Sequence, residues 1–251
     1  MIVLRILVNA LIMAGEIAAA AGVAVLGFHN PIVFAGLTAG LTFLLGLHLE
    51  VARLRYELPF YFGALVTPGV LLTGIVGLSE ALLKGVLAGI AALFTFSGTD
   101  ADRLYWVAIV FGVCIYAGAS LLRVLSIRAN AMPMRWGYFR LAPLLGLTFS
   151  VGLALLAAMR VLAPTSVGDL GWKIIFEMPS VPSIAEASEL LFQIKQAFDD
   201  FIVTVLGAIL DERLARLAAI VVSVNVLSGF VSALYAALIA TAVRRAEETL
   251  L

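Results

Sequence analysis

Predominantly apolar windows of about 20 residues, the length that crosses a bilayer as a helix, recur along the whole chain. They fall at 6–28, 32–51, 58–96, 105–125, 141–163 and 217–243. The third is too long for one helix. Pro59, Pro68 and a polar notch at Ser79, Glu80 and Lys84 interrupt it, which leaves either two short spans or one span and a helix lying at the interface. Between 164 and 216 the pattern changes. Pro164, Pro179 and Pro182 punctuate the first part, and Ser183 with Glu186 three residues on forms a capping-box signature. Ile184, Ala187, Leu191, Ile194, Phe198 and Ile202 then recur at helical spacing, with Glu186, Glu189, Gln193, Gln196 and Asp200 on the other face. This predicts an amphipathic helix along the membrane surface or over the bundle, its polar face wet. The short run 201–210 either continues that helix or dips into the membrane and returns.

Composition agrees with the pattern. Hydrophobic residues make up 63% of the 251 positions and charged ones 13%, too few polar residues to cover a soluble domain of this size. The apolar surplus is therefore expected to face lipid. Sixteen basic and sixteen acidic residues balance, so the overall charge suggests no nucleic-acid partner. The apolar stretch after Arg5 outruns a signal peptide's apolar region, and His29, Asn30 and Pro31 make no small-residue cleavage site, so a retained first span is expected.

Charge placement decides between topologies. If 58–96 crosses an odd number of times, the chain makes six crossings and both termini share a side with Arg5, Arg53, Arg55, Arg123, Arg128, Arg135, Arg140, Arg244 and Arg245. Only Glu50, Glu57, Glu247 and Glu248 oppose these nine arginines there. The opposite side then holds seven basic residues, Lys84 among them, against eleven acids, Glu80 among them. Arginine-rich loops stay in the cytoplasm. The expected fold is an all-α polytopic transmembrane helix bundle of about six spans, with room for a seventh apolar segment. Residues 1–251 form a single transmembrane domain in the inner (plasma) membrane, both termini cytoplasmic. Residues 164–216 form an extracytoplasmic segment carrying the amphipathic or re-entrant helix.

Candidate chemistry is sparse. The only cysteine, Cys114, lies in an apolar run, which rules out an intrachain disulfide and a cysteine metal cluster. His29 and His48 are far apart, so no catalytic set and no metal site is expected. Nothing in the sequence asks for a cofactor. Glu16 sits near the middle of the first span, where an ionised carboxylate is costly, and is expected to face the bundle interior as part of a proton or ion pathway or as a packing carboxyl. Gly36 with Gly40, and Gly85 with Gly89, are Gly-x-x-x-Gly pairs that let helices approach closely. In the last window Asn225, Ser228 and Ser232, with Gly229 beside them, share one face of a continuous helix. That stripe either lines a polar path or bonds a neighbouring helix.

The stretch 215–248, ARLAAIVVSVNVLSGFVSALYAALIATAVRRAEE, resembles the inner pore helix of bacterial potassium channels. The layout is similar to that of the six-helix cation channel superfamily. The resemblance implies that Arg123 to Arg140 form the basic linker, that 164–216 form the pore region, and that Asn225, Ser228, Gly229 and Ser232 line the cavity. The potassium filter is absent, its place reading Thr204-Val205-Leu206-Gly207-Ala208. Only Arg103, Arg123 and Arg128 flank the candidate fourth helix, too few for steep voltage sensing. The sequence thus predicts a non-enzymatic, channel-like or pore-forming subunit acting with the lipid bilayer and as a homo-oligomer or beside other membrane subunits. A structural or assembly subunit of a larger membrane complex and a small-solute secondary transporter are the alternatives.

Overall fold

The computed structural model describes residues 2–62, 70–159, 161 and 183–250, and the proline-rich stretch at 162–182, with Asp169, lies outside it. Every regular element among the described residues is helical: α1 (Ile2–His29), α2 (Pro31–Phe62), α3 (Val70–Thr95), α4 (Ala101–Ala129), α5 (Pro133–Trp136), a π-helical segment (Gly137–Leu141), α6 (Ala142–Ala158), α7 (Ile184–Gly207), α8 (Glu212–Val222), a 3₁₀ turn (Val224–Leu227) and α9 (Ser228–Leu250). Six stretches are long and apolar enough to cross a membrane: Ile6–His29, Pro31–Glu57, Thr73–Thr95, Ala101–Ala129, Pro133–Ala158 and Arg213–Thr249. The long window 58–96 contributes one of them, because 58–62 extend α2 and 70–95 form α3.

The helices have opposite burial patterns that reflect their places. α9 is the central post: every residue from 231 to 237 is buried, since α3, α4, α6 and α1 surround it. α1 lies at the periphery and buries a single ridge, Ile12, Glu16, Ala20 and Ala24, at i, i+4 spacing. Phe34, Phe96, Phe111, Phe149 and Tyr235, one from each of α2, α4, α6 and α9 and from the end of α3, interlock at centroid distances of 5.2 to 6.2 Å. Most of these ring pairs meet edge to face, the arrangement aromatic quadrupoles prefer.

The turns are set by local chemistry. Asp100 caps α4, its carboxylate accepting from the Asp102 and Arg103 amides at 3.1 and 3.4 Å. Asn130 ends α4 in the left-handed region (φ 48°), and Pro133 opens α5 without a backbone N–H to satisfy. The expected capping box forms, with Ser183 N donating to Glu186 Oε2 at 2.7 Å and Glu186 N to Ser183 Oγ at 3.3 Å. It holds the Glu186 carboxyl below its ordinary range through the Ser183 backbone N–H. α7 then runs unbroken to Gly207, so the run after Asp200 begins as a continuation of the surface helix.

The apolar stripe of α7 is only partly covered: Ile184, Ile194 and Phe198 are exposed and Ala187, Leu191 and Ile202 half-buried, while Phe192 and Lys195 are buried. Docking to the α3–α4 turn decides this, because Ser188 bonds the Gly98 backbone on both its N–H and C=O sides and Thr99 donates to Glu189. One sequence expectation needs correction: the last span is not one helix. Ser223 leaves helical geometry (φ −53°, ψ 144°), and Asp199 of α7 accepts from Ser223 Oγ and from the Val224 amide, each at 3.0 Å. Ser150 of α6 donates to Ile220 O at 2.8 Å, satisfying a carbonyl freed where α8 ends. A carboxylate distant in sequence therefore breaks a run whose hydropathy alone would continue.

Candidate functional site

In the C-terminal half of α2, Glu50, Arg53 and Glu57 recur at i, i+3 and i+7, a spacing that puts them on one helical face. α3 lies antiparallel against that face, presenting Glu80 and Lys84 one turn apart. Glu50, fully buried, pairs with Lys84 Nζ through Oε1 and lies 3.2 Å from Arg53 through Oε2. Arg53 donates to Glu80 at 2.6 Å and stands 3.1 Å from Glu57. The Arg53 contacts to Glu50 and Glu57 are charge contacts without hydrogen-bond alignment, since Glu50 Oε2 and Arg53 Nε have no hydrogen-bond partner. The result is a chain of alternating sign, Lys84, Glu50, Arg53, Glu80, which joins the middle of the apolar α3 stretch to the last part of the apolar α2 stretch.

The π-helical segment closes this site. Gly137 sits so near α9 that a Cβ there would overlap Ala237, which brings the following rings over the charges. Phe139 lies 5.3 Å from the Arg53 guanidinium and 5.1 Å from Lys84 Nζ, and Tyr138 lies 5.2 Å from Lys84. The Tyr138 hydroxyl is buried with no hydrogen-bond partner. A cavity of about 180 Å³ opens between this segment, Thr42, Lys84, Arg53 and Phe230. Single π turns inside helices cluster at functional sites, and this one delivers two aromatic side chains to an ionic network.

From that cavity a row of buried hydroxyls follows the seam between α2, α3 and α9. Thr42 donates to Thr38 O at 2.7 Å, and Thr38 Oγ1 lies 3.0 Å from Tyr235 Oη. Ser232 donates to Ser228 O at 3.0 Å, and Thr95 donates to Ser228 Oγ at 2.7 Å. Thr95 in turn borders a second cavity at the other end of the bundle, shared with Ser97, Arg103, Lys195, Asp199 and Asn225.

The residues singled out from the sequence are distributed as follows. Glu16 is buried on the inward ridge of α1, its Oε1 without a hydrogen-bond partner, in the field of Arg123 and Glu247. Those two are themselves paired, Arg123 Nε donating to Glu247 at 2.8 Å and Nη2 to Asn9. Ser228, Gly229 and Ser232 are buried within the protomer, and a Cβ on Gly229 would run into Ala142 O and the Gly146 backbone. Asn225 does not share their helical face, because it lies in the 3₁₀ turn, bonded to Ser223. Gly85 and Gly89 pack on Ala39 and Ala35 of α2. Among the described residues a Cβ on Gly36 or Gly40 would meet no atom within 4 Å, because α3 approaches the Ala35 and Ala39 face beside them. Glu80 and Lys84 lie within α3, inside a stretch long and apolar enough to cross a membrane.

The sequence reading took the notch at Ser79, Glu80 and Lys84 as a break in a span. The signal that would have found the network is a pair of facing helices that each carry charges at i, i+3 or i, i+4 within an apolar window. Among the described residues no group of three His, Cys, Asp or Glu side chains converges as a metal site. No family model matches this sequence, and neither a curated protein nor a solved structure matches the chain, so the six apolar helices carry the assignment: the chain is a multi-pass integral membrane protein.

Proposed function

We propose that the chain is a channel-like, non-enzymatic transport protein that passes protons through the interior of one protomer, along the α2–α3–α9 seam. The observation that carries this reading is the alternating Lys84, Glu50, Arg53, Glu80 network at membrane depth beside a polar-edged cavity. Ionisable groups at such depth are expensive and mark ion or proton paths by default. A lysine–glutamate pair hands a proton between Nζ and Oε1 without creating net charge, and the cavity has room for several waters to connect it with the free Tyr138 hydroxyl. Two hydroxyl pairs, Thr38 with Tyr235 and Thr95 with Ser228, lie along the seam toward the other cavity, with Thr42 and Ser232 beside them. The interlocked rings of Phe34, Phe96, Phe111 and Tyr235 favour a proton over a hydrated ion, since hydroxyls relay the one and packed rings exclude the other.

Purified protein in liposomes loaded with a pH-sensitive dye, under a potassium diffusion potential, tests this. Wild type should acidify or alkalinise the lumen faster than protein-free liposomes, and Glu50→Gln should lower the rate by at least about tenfold. Proton flux no faster than in protein-free liposomes would discard the proposal.

A second reading, a subunit of a larger membrane complex or homo-oligomer, is favoured by Gly36 and Gly40, where an added Cβ would meet none of the described residues. Small residues that let a backbone approach suit a helix from another subunit. Native mass analysis after gentle extraction separates the two, a lone monomer counting against it.

A further inference from the structure

The second cavity, about 570 Å³ at the end of the bundle where α7 docks, holds cationic groups that the proton path does not use. Lys195 is buried, and its Nζ has one recorded partner, Phe94 O at 3.4 Å. Arg103 is half-buried, its guanidinium stacked over the Phe192 ring at 4.3 Å. Among the described residues neither has a carboxylate within 4 Å. Asp199, one turn from Lys195, is spent on the α8–α9 break, Oδ2 accepting from Ser223 and Oδ1 from the Val224 amide. A buried cation without a counter-charge is costly. The opposite wall is apolar, built by Leu153, Ala154 and Ala157 of α6.

We propose that this vestibule binds an oxyanion, phosphate or carboxylate, attached to a small apolar body, with Lys195 and Arg103 as the charged ligands and the α6 wall taking the apolar part. The buried Asn225 Oδ1, which lines the same cavity without a partner, offers an acceptor to a hydroxyl of the ligand. The chemistry is shared by a free organic anion and a lipid headgroup. The site stands whether or not protons move along the seam.

The charges facing Lys195 are Arg103 from α4, Asp199 and Asp200 from its own helix, and Arg216 from α8, with Asp100 and Glu189 facing Arg103. Burial first, and Arg103 second, lower the Lys195 ammonium to about 8. An anion beside it restores the proton, so binding near pH 8 takes up protons from the buffer.

The test uses the full chain in phosphatidylcholine nanodiscs. Hexanoate and inorganic phosphate are titrated calorimetrically, and native mass analysis compares retention of phosphatidylglycerol with that of phosphatidylcholine. Either small anion binding, or selective retention of phosphatidylglycerol, is the expected result, and the arm that responds identifies the source. Lys195→Met should weaken binding by about tenfold or more, while Lys195→Arg retains it. Hexanoate, fully ionised throughout, should bind with proton uptake at pH 8, read from two buffers of different ionisation heat, and without uptake two pH units lower. If the Met variant does not fold, the Arg variant and the proton uptake of the wild type decide. No binding of any of the three probes, or binding unchanged in Lys195→Met, overturns the proposal.

Discussion

Buried charge is handled in opposite ways at the two ends of the bundle. Around α2 and α3, Lys84, Glu50, Arg53 and Glu80 alternate in sign, each group touching an opposite one, and two aromatic rings cover the cations. Under α7, Lys195 is buried yet rests on one long contact to a carbonyl, and its neighbour in sequence, Asp199, serves a helix break. A paired network holds helices together, and on the proposed reading keeps protons within reach. An unpaired cation in a cavity is costly to the free protein and is what the proposed anion would relieve. The difference teaches that pairing, not burial, distinguishes the charged groups at the two ends.

The largest expected effect comes from breaking the paired end. Glu50→Ala leaves Lys84 and Arg53 without their buried carboxylate and should cost about 3 to 5 kcal/mol of unfolding free energy in detergent, whereas the double variant Glu50→Gln, Lys84→Met should recover most of it. Equal losses in both would show that the pair is not the unit.

The unpaired end predicts the reverse sign. The Lys195 value in the folded chain lies below that of an unfolded lysine, so its penalty is fully present below about pH 8 and fades as pH rises toward about 10.4, where an unfolded lysine also loses its proton. Without added anion, stability should therefore climb by up to about 3 kcal/mol over that window, and Lys195→Met should flatten the climb. Unfolding midpoints across the pH series check this, and a stability that falls through the window would reverse the comparison.

Asp199→Asn tests the division of labour within α7. Losing the charge that accepts from Val224 should cost about 1 kcal/mol and raise amide exchange at Val224, while leaving Lys195 buried. The smallest effect on folding belongs to Tyr138→Phe. Its hydroxyl has no partner, so stability should change by no more than about 1 kcal/mol, and any change should favour the variant. A drop in liposomal proton flux at unchanged stability would then assign that hydroxyl to the path.

Much of this molecule can be read along the chain. The capping box at Ser183, the six apolar stretches and the inward Glu16 depend on near neighbours and on helical period, which a sequence displays directly. The apolar face of α7 misleads, because lipid rewards it as well as a protein core does, so hydropathy alone does not say which way it turns. The same ambiguity hides Gly36 and Gly40: a small residue permits close approach but does not supply the helix that approaches.

What the order of amino acids determined by itself is a preference for lipid and about six apolar stretches long enough to cross it, because transfer of apolar surface and internal satisfaction of backbone polar groups are local sums. Which charges meet was decided only by the tertiary structure. Glu50 finds Lys84, Asp199 reaches Ser223, and Lys195 finds no carboxylate among the described residues, because these outcomes depend on which helix faces bring side chains within about 4 Å, and ion pairing fades beyond such distances.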